Sequence, residues 1–414
     1  LSEIIVIGGG AAGMMAAQRA AECGAQVTLL EKNDKLGLKI LISGGGKCNL
    51  THAGPMEEVR AKFRQNEARF LKPSFYKFGN VDFLRILHDR GMATYTRPDG
   101  RIFPVEPANA KDVAALLTRS VEEAGVRIRY GAAVTGLEIQ KGGGIALQIG
   151  TETLGAATVI VSTGGSSYPA TGTTGDGWKW LADIGHTIVP LRAALAPIYT
   201  ADAKAEWSGV ALRDTVLRAR AGREGKEYMR WKGDLLFTHK GVSGPTALGV
   251  SREVAERGEN PSALETDLVP DVSFEGLHAR LRAEIQDNPR RTAASLVAPF
   301  APARLTEALL AAASVDGATR GAHLSTKALN KLVSTLKGWP IGDVRHVPLE
   351  RGEVVAGGVS LDEVDPQTMQ SRLVSRLFLC GEILDIAGPV GGYNLQAAWS
   401  TGWVAGESAA RAAS

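Results

Sequence analysis

A chain of 414 residues is too long for one ordinary hydrophobic core, so two or three domains are expected. Its 44% hydrophobic and 22% charged content is that of a globular protein, and a net charge of +3 is too small to argue for nucleic acid or an anionic membrane. Cys23, Cys48 and Cys380 are widely spaced and suggest neither a disulfide scaffold nor a zinc site, and no run approaches the roughly 18 to 20 apolar residues of a membrane helix.

The first strand signal, the apolar run at 4–7, leaves no room for a leader; with those cysteines a reducing cytoplasm is the expected compartment, and with no metal-ligand spacing no metal is expected. Gly8, Gly10 and Gly13 follow as G-x-G-x-x-G, then a helical run from Met14. Gly8 suits a tight turn, Gly10 a close approach of backbone to a pyrophosphate, and Gly13 close packing of helix on strand. Ala11 and Ala12 complete the loop, whose helix aims free N–H groups at phosphate. A second strand at 26–30 ends at Glu31, 18 residues past Gly13, near the spacing at which an acid meets a ribose hydroxyl. An acid there favours FAD or NAD over NADP.

Next comes a loop of small residues, Ser43, Gly44, Gly45 and Gly46, followed by Lys47, Cys48 and Asn49. It reads either as an anion nest with Lys47 adding a point charge, or as a surface glycine turn. Residues 57–70 and 81–90 pattern as helices around Pro73, and Asn109 is placed to cap a helix that Gly125 stops. A strand at 126–130, a three-stranded meander from Ala133 and Val134 to 154, and a buried strand at 157–161 follow. That last strand breaks at Thr163, Gly164 and Gly165. This order is that of flavin domains of the glutathione-reductase type, with Ala133 and Val134 beside the adenine.

From 191 to 245 the chain is turn-rich with short alternating runs, and 246–337 is mostly helical. The expected division is an FAD-binding domain from 1–190 and 346–414, a β-barrel-like insert from 191–245 with about 338–355, and a helical cap from 246–337. The C-terminal block separates FAD from NAD. A buried strand ends at Cys380, Gly381 and Glu382, placing an acid near the ribityl and pyrophosphate end of a long cofactor. Gly391, Gly392, Tyr393, Asn394 and Leu395 open a helix whose positive end suits the charge of reduced flavin; the bland alternative is a helix that only packs on the sheet. No second strand-glycine-helix unit follows, so any NADH or NADPH visits as a transient donor.

These motifs resemble a family of bacterial FAD-dependent oxidoreductases known mainly as uncharacterised flavoproteins, distantly similar to fumarate-reductase-type flavin domains. One branch is proposed as 3-dehydro-bile-acid reductases. The family pattern S-G-G-G-R-C-N stands here at 43–49 with Lys47 for the arginine, T-G-S-T-G-D-G at 171–177, F-T-H-x-G-x-S-G-P at 237–245, G-E-x-L-D at 381–385 and G-G-Y-N-L-Q at 391–396. Val355 stands where a threonine is usual. The resemblance spans nearly the whole chain. It implies an α/β protein with a discontinuous Rossmann-like FAD-binding domain, an inserted small β-barrel-like unit and a helical cap. Lys32 and Lys39 are counted with the cofactor contacts.

The expected chemistry is hydride transfer through flavin N5 to or from a small, largely apolar substrate, an enone being one candidate. Nucleic acid and membrane partners are not expected, and the oligomeric state is open. Cys48 is either redox-active or a buried packing residue. His239 either supplies a proton or orders its loop, and Tyr393 either stacks on the flavin or packs. Asp176 is placed to cap a helix beginning near Gly177. An RNA-modifying flavoprotein and a flavin-binding sensor without turnover are the alternatives.

Overall fold

The computed structural model describes residues 3–413. All four residues of β1 (Ile4–Ile7) are buried, as a strand covered on both faces requires. It leads into α1 (Ala11–Glu22) and β2 (Val27–Leu30), followed by α2 (Gln65–Lys77), β3 (Arg127–Arg129), β4 (Thr158–Val161), β5 (Leu377–Leu379) and α3 (Tyr393–Ala413). The five strands make one parallel sheet in the order β5-β4-β1-β2-β3. The chain builds outward from β1 to β3, then crosses to the other side of β1 as β4. The crevice at the ends of β1 and β4 is therefore the topological switch point, where such sheets bind ligands. The unit that holds this sheet is discontinuous, since β5 and α3 come from the far end of the chain.

The chain divides into two compact units, one running to Arg192 and resuming at Glu353, the other Ala193–Gly352. In the first, α1 and α3 cross closely because Gly402 and Gly406 carry no side chain. A Cβ on either would stand 2.3 Å from the carbonyl of Ala12 or Ala16. A meander of Val134–Ile139, Ile145–Ile149 and Glu152–Ala156 forms the expected three-stranded antiparallel sheet. Asn109 caps its helix as read, accepting from the Lys111 amide at 2.9 Å. Pro73 does not separate two helices as the pattern suggested. It lies inside α2, whose inner face of Phe70, Leu71 and Phe75 is buried. The hydrogen bond that proline forgoes is offset by that packing within one turn of the helix end.

The second unit contains a closed six-stranded barrel of Ile198–Thr200, Ala211–Arg220, Glu227–Thr238, Gly241–Ser243, Ala263–Asp267 and Trp339–His346. The strand Ala263–Asp267 went unread because five residues between two helices offer too little alternation to register. Its helices include Phe274–Asp287, Ala303–Ala313 and Thr326–Lys337. Barrel residues Leu217, Leu235 and Val242 share one core with Leu277, Leu305 and Leu332 from the helices.

A polar knot ties the first unit together near β5. His186 Nδ1 lies 3.0 Å from Glu363 Oε2 and its Nε2 lies 2.9 Å from Ser371 Oγ. The Ser371 hydroxyl also accepts from the Leu373 and Val374 amides, so it serves as a turn anchor. Burial pushes the Glu363 carboxyl up, but hydrogen bonds from Thr187 and His186 outweigh it and hold the group below its ordinary value of 4.5. A depressed carboxyl contributes stability that is complete above its ordinary value and lost as pH falls through the folded value. Glu363→Gln is therefore expected to cost about 1–3 kcal/mol at pH 7. Its melting temperature will converge on that of the parent as pH falls from the ordinary carboxyl value through the lower folded one, as melts across the acid range will check.

Candidate functional site

The site begins where β1 turns into α1. A Cβ on Gly8 would stand 2.7 Å from the Ser162 carbonyl, and one on Gly13 would stand 1.9 Å from the Gly8 carbonyl. Strand, loop and helix are thus in contact with no room for side chains. At Gly10 the opposite holds, because a Cβ there would meet nothing within 4 Å. The first turn of α1 has no side-chain cap and no acid, so its amides face open space. Glu31, buried at the end of β2, braces this loop. Its Oε2 accepts from the Gly9 amide at 2.8 Å, and its Oε1 accepts from Asn33 N at 2.9 Å and Asn33 Nδ2 at 2.6 Å. The Ala132 amide donates to the Glu31 carbonyl at 2.9 Å, which brings Ala133 and Val134 alongside. Thr163 packs against Gly8, and Gly164 and Gly165 continue the loop after β4.

The C-terminal block closes on this loop. A Cβ on Gly381 would stand 2.7 Å from Ala12 Cβ, so the end of β5 sits at the first turn of α1. Lys39 Nζ donates to Glu382 at 2.7 Å and to Ser167 Oγ at 2.8 Å, while the other oxygen of Glu382 accepts from the Val355 amide at 2.8 Å. Glu353, next along, is open to water yet recessed. Desolvation raises its carboxyl above the usual range, opposed by the charge of Lys39. Lys32 bonds Asp176 at 2.7 Å and Thr174 at 2.6 Å. Asp176 is the first residue of its helix and does not cap it: Gly175 holds that position, and the carboxylate is turned to Lys32.

At the other end, Gly44 and Gly45 take left-handed backbone angles and the Cys48 amide donates to the Ser43 carbonyl at 3.0 Å. With the Asn49 amide oriented by its surroundings, oxygen toward the Gly392 N–H at 2.9 Å and nitrogen toward the Thr51 carbonyl at 3.2 Å, this loop is joined to the start of α3. Asn394 bonds both the amide and the carbonyl of Gly388, and the first turn of α3, including Leu395, carries no acid. Tyr393 is buried and stacks on His52 at 4.8 Å with 19° between the rings; Phe63 meets it edge-on at 6.2 Å. Burial, then the charge of Asp99, raises the Tyr393 hydroxyl, so it stays a phenol. The two ring nitrogens of His52 face the carbonyls of Ala53 at 2.8 Å and Asp99 at 3.1 Å. Lys47 points away to Glu106 at 3.0 Å.

The residues named from the sequence as cofactor contacts all fall in the first unit, but Lys47 turns outward to Glu106 and Cys48 is buried. His239 falls in the second unit, exposed in the two-residue turn between Glu227–Thr238 and Gly241–Ser243. Cys48 is fully buried, and burial, against a hydrogen bond from Ser43, pushes its thiol up to about 12, so a thiolate is not populated at neutral pH. Burial likewise raises the Cys380 thiol. An alkylating reagent at pH 8 is expected to label Cys23 alone in the folded protein, as peptide mass spectrometry will read. Sequence reasoning missed His52, Ser167, Glu353 and Asp99, which sit outside any motif; the short strand Thr51–His52 directly after the Asn49 loop was the one available signal.

A family model described as the HI0933-like protein Rossmann domain matches residues 2–408. The chain belongs to that family. It is an FAD-dependent oxidoreductase, and the residues present fit the cofactor: an uncapped helix with open space at Gly10 for pyrophosphate, and a second acid-free helix start at Tyr393. Among the described residues no cluster of His, Cys, Asp or Glu could hold a metal ion, and no helix is long and apolar enough to cross a membrane.

Three relatives are similar to this chain along nearly their full length. A ribosomal RNA dihydrouridine synthase of Escherichia coli (strain K12) is 31% identical over 97% of this chain and 96% of its own. One of the same name from Haemophilus influenzae is 30% identical over 99% of each. A 3-dehydro-bile acid delta(4,6)-reductase of Clostridium scindens is 28% identical over 99% of each. Among solved structures, the 3-ketosteroid delta1-dehydrogenase of Sterolibacterium denitrificans shares the fold, with a TM-score of 0.55, 14% identity and coverage of 99% of this chain and 100% of that one.

Proposed function

We propose that this protein reduces the C5–C6 double bond of uridine in ribosomal RNA, with NADH or NADPH as a donor that visits without a nucleotide domain of its own. The reading rests on the two relatives named for that reaction, each at least 30% identical along nearly the whole chain. It departs from the small apolar substrate that the resemblance implied, and from the absence of nucleic acid expected from the near-neutral charge. Net charge reports a whole surface, whereas RNA is gripped by local patches. The reaction also unites the family's named chemistries. Uracil is an α,β-unsaturated carbonyl compound, as is a dehydro-bile acid, and each takes a hydride at one carbon and a proton at its neighbour.

When bound, FAD supplies that hydride through N5. The chain's residues hold and orient. The α1 amides and Gly10 take the pyrophosphate, and Lys39 with Glu382 fixes the end of β5 against it. The start of α3, tied by Asn49, presents its positive end where the ring accumulates negative charge on reduction. Tyr393, kept a phenol, closes the ring end with His52 and Phe63 and excludes water. Ribosomal RNA as substrate assigns the protein to the cytoplasm.

The test is anaerobic. Holoenzyme with NADH or NADPH is given unmodified ribosomal RNA, and nucleosides are analysed for the gain of two hydrogens on uridine. Dihydrouridine at a defined position supports the reading. Turnover of an unsaturated 3-oxo steroid with no change in RNA would replace it by the small-molecule reading, which the Clostridium scindens relative favours.

A further inference from the structure

We propose that single-stranded or loop RNA docks on the outward face of α2, the helix that packs toward Tyr393 through Phe75 and Phe63; this rests on the RNA reading above. The inner face of α2 buries Phe70, Leu71 and Phe75. Its outer face carries Gln65, Arg69, Lys72 and Tyr76, all exposed, at spacings of four, three and four residues that align them in one stripe. No acid interrupts the stripe, and among the described residues neither Arg69 nor Lys72 is paired with a carboxylate.

Tyr76 sets this face apart from an ordinary solvated helix. It is 92% exposed, the most open large hydrophobic side chain described. A tyrosine ring held clear of the protein at the end of a basic stripe suits a base stacked on its face, with Lys72 and Arg69 on the neighbouring phosphates. The outer face of Thr326–Lys337 in the other unit is the natural contrast. It presents Lys327 and Lys331, also exposed, but no aromatic residue.

Position supports the assignment. Phe75, on the inner side of α2, meets Phe63 edge-on at 5.8 Å, and Phe63 meets Tyr393 edge-on at 6.2 Å. The stripe therefore lies across α2 from those rings, one helix diameter plus two ring contacts, on the order of 20 Å, from Tyr393. An enzyme that works on a base must take it out of its stack, so it needs purchase on the nucleotides alongside. Unstacked bases favour aromatic platforms, which is why the partner is a loop or single strand and not a duplex.

The experiment measures binding of unmodified, transcribed ribosomal RNA to FAD-loaded protein between about 50 and 200 mM salt. Four proteins are compared: the parent, Arg69→Glu with Lys72→Glu, Tyr76→Ala, and Lys327→Glu with Lys331→Glu, each checked for unchanged flavin content. The α2 double variant is expected to bind at least tenfold more weakly, with the slope of log K against log salt reduced by about two. Tyr76→Ala is expected to lose roughly tenfold with the slope unchanged. The Lys327 and Lys331 variant is expected to stay within about twofold. If the parent binds RNA and the α2 variants bind equally well, or the control loses as much, this surface is wrong while the RNA reading stands. If the parent shows no salt-dependent binding, the RNA reading falls and takes this surface with it.

Discussion

Gly10→Ala is expected to yield a folded protein that holds its flavin much more weakly. The backbone at Gly10 has φ −78°, which alanine adopts freely, and a new Cβ meets nothing within 4 Å. The fold loses only the difference between glycine and alanine before a helix, about 0.5–1 kcal/mol. The same Cβ occupies the space a pyrophosphate needs, so FAD affinity falls about 10- to 100-fold. Gly13→Ala behaves differently. Its Cβ would stand 1.9 Å from the Gly8 carbonyl and 2.6 Å from Ser162 Oγ, both part of the packed turn. The apoprotein itself is destabilised there by about 3 kcal/mol. Flavin absorbance at matched FAD and thermal melts of the two apoproteins separate the cases. Full retention of FAD by Gly10→Ala would remove the pyrophosphate from α1.

The second large effect lies in the barrel. Asp267, nearly buried, accepts from Arg218 at 2.8 Å and pairs with Lys337 at 2.9 Å. Arg218 also bonds Glu265 at 3.0 Å, and Lys337 donates to the carbonyls of Val269 and Val272. This network pins the end of the Thr326–Lys337 helix to the strand Ala263–Asp267. Asp267→Ala leaves two cations short of a partner in a poorly solvated place, at a cost of about 3–5 kcal/mol. Replacing Arg218, Asp267 and Lys337 together by Met, Leu and Met removes the charges with the pair and is expected to cost far less. Urea unfolding midpoints for the two variants decide it. A loss below about 1 kcal/mol for Asp267→Ala would mean that water reaches the site and screens the charges.

Much of the site was written locally. The strand, glycine turn, helix, strand and acid from Ile4 to Glu31 depend on contacts between near neighbours in the chain, and periodicity reports which face each buries. Asn109 could be read as a cap for the same reason, since its partner is two residues away. Pro73 misled because proline's cost is local whereas the packing of Phe70, Leu71 and Phe75 that holds α2 together is not. Ala263–Asp267 escaped because its partners, Ala211–Arg220 and Trp339–His346, lie far along the chain.

By itself, then, the amino-acid order determined the dinucleotide-binding architecture, the return of the chain's far end to that domain and the flavin chemistry expected there. Each is carried by short-range backbone demands that few residues can meet. Only the tertiary structure decided that Lys39 meets Glu382 across 343 positions, that Asn49 holds the Gly392 amide, that His52 lies on Tyr393, and that Cys48 is sealed off. Such pairings depend on how distant segments close and pack. A side chain's charge or ring does not announce its partner until the backbone has brought one within reach.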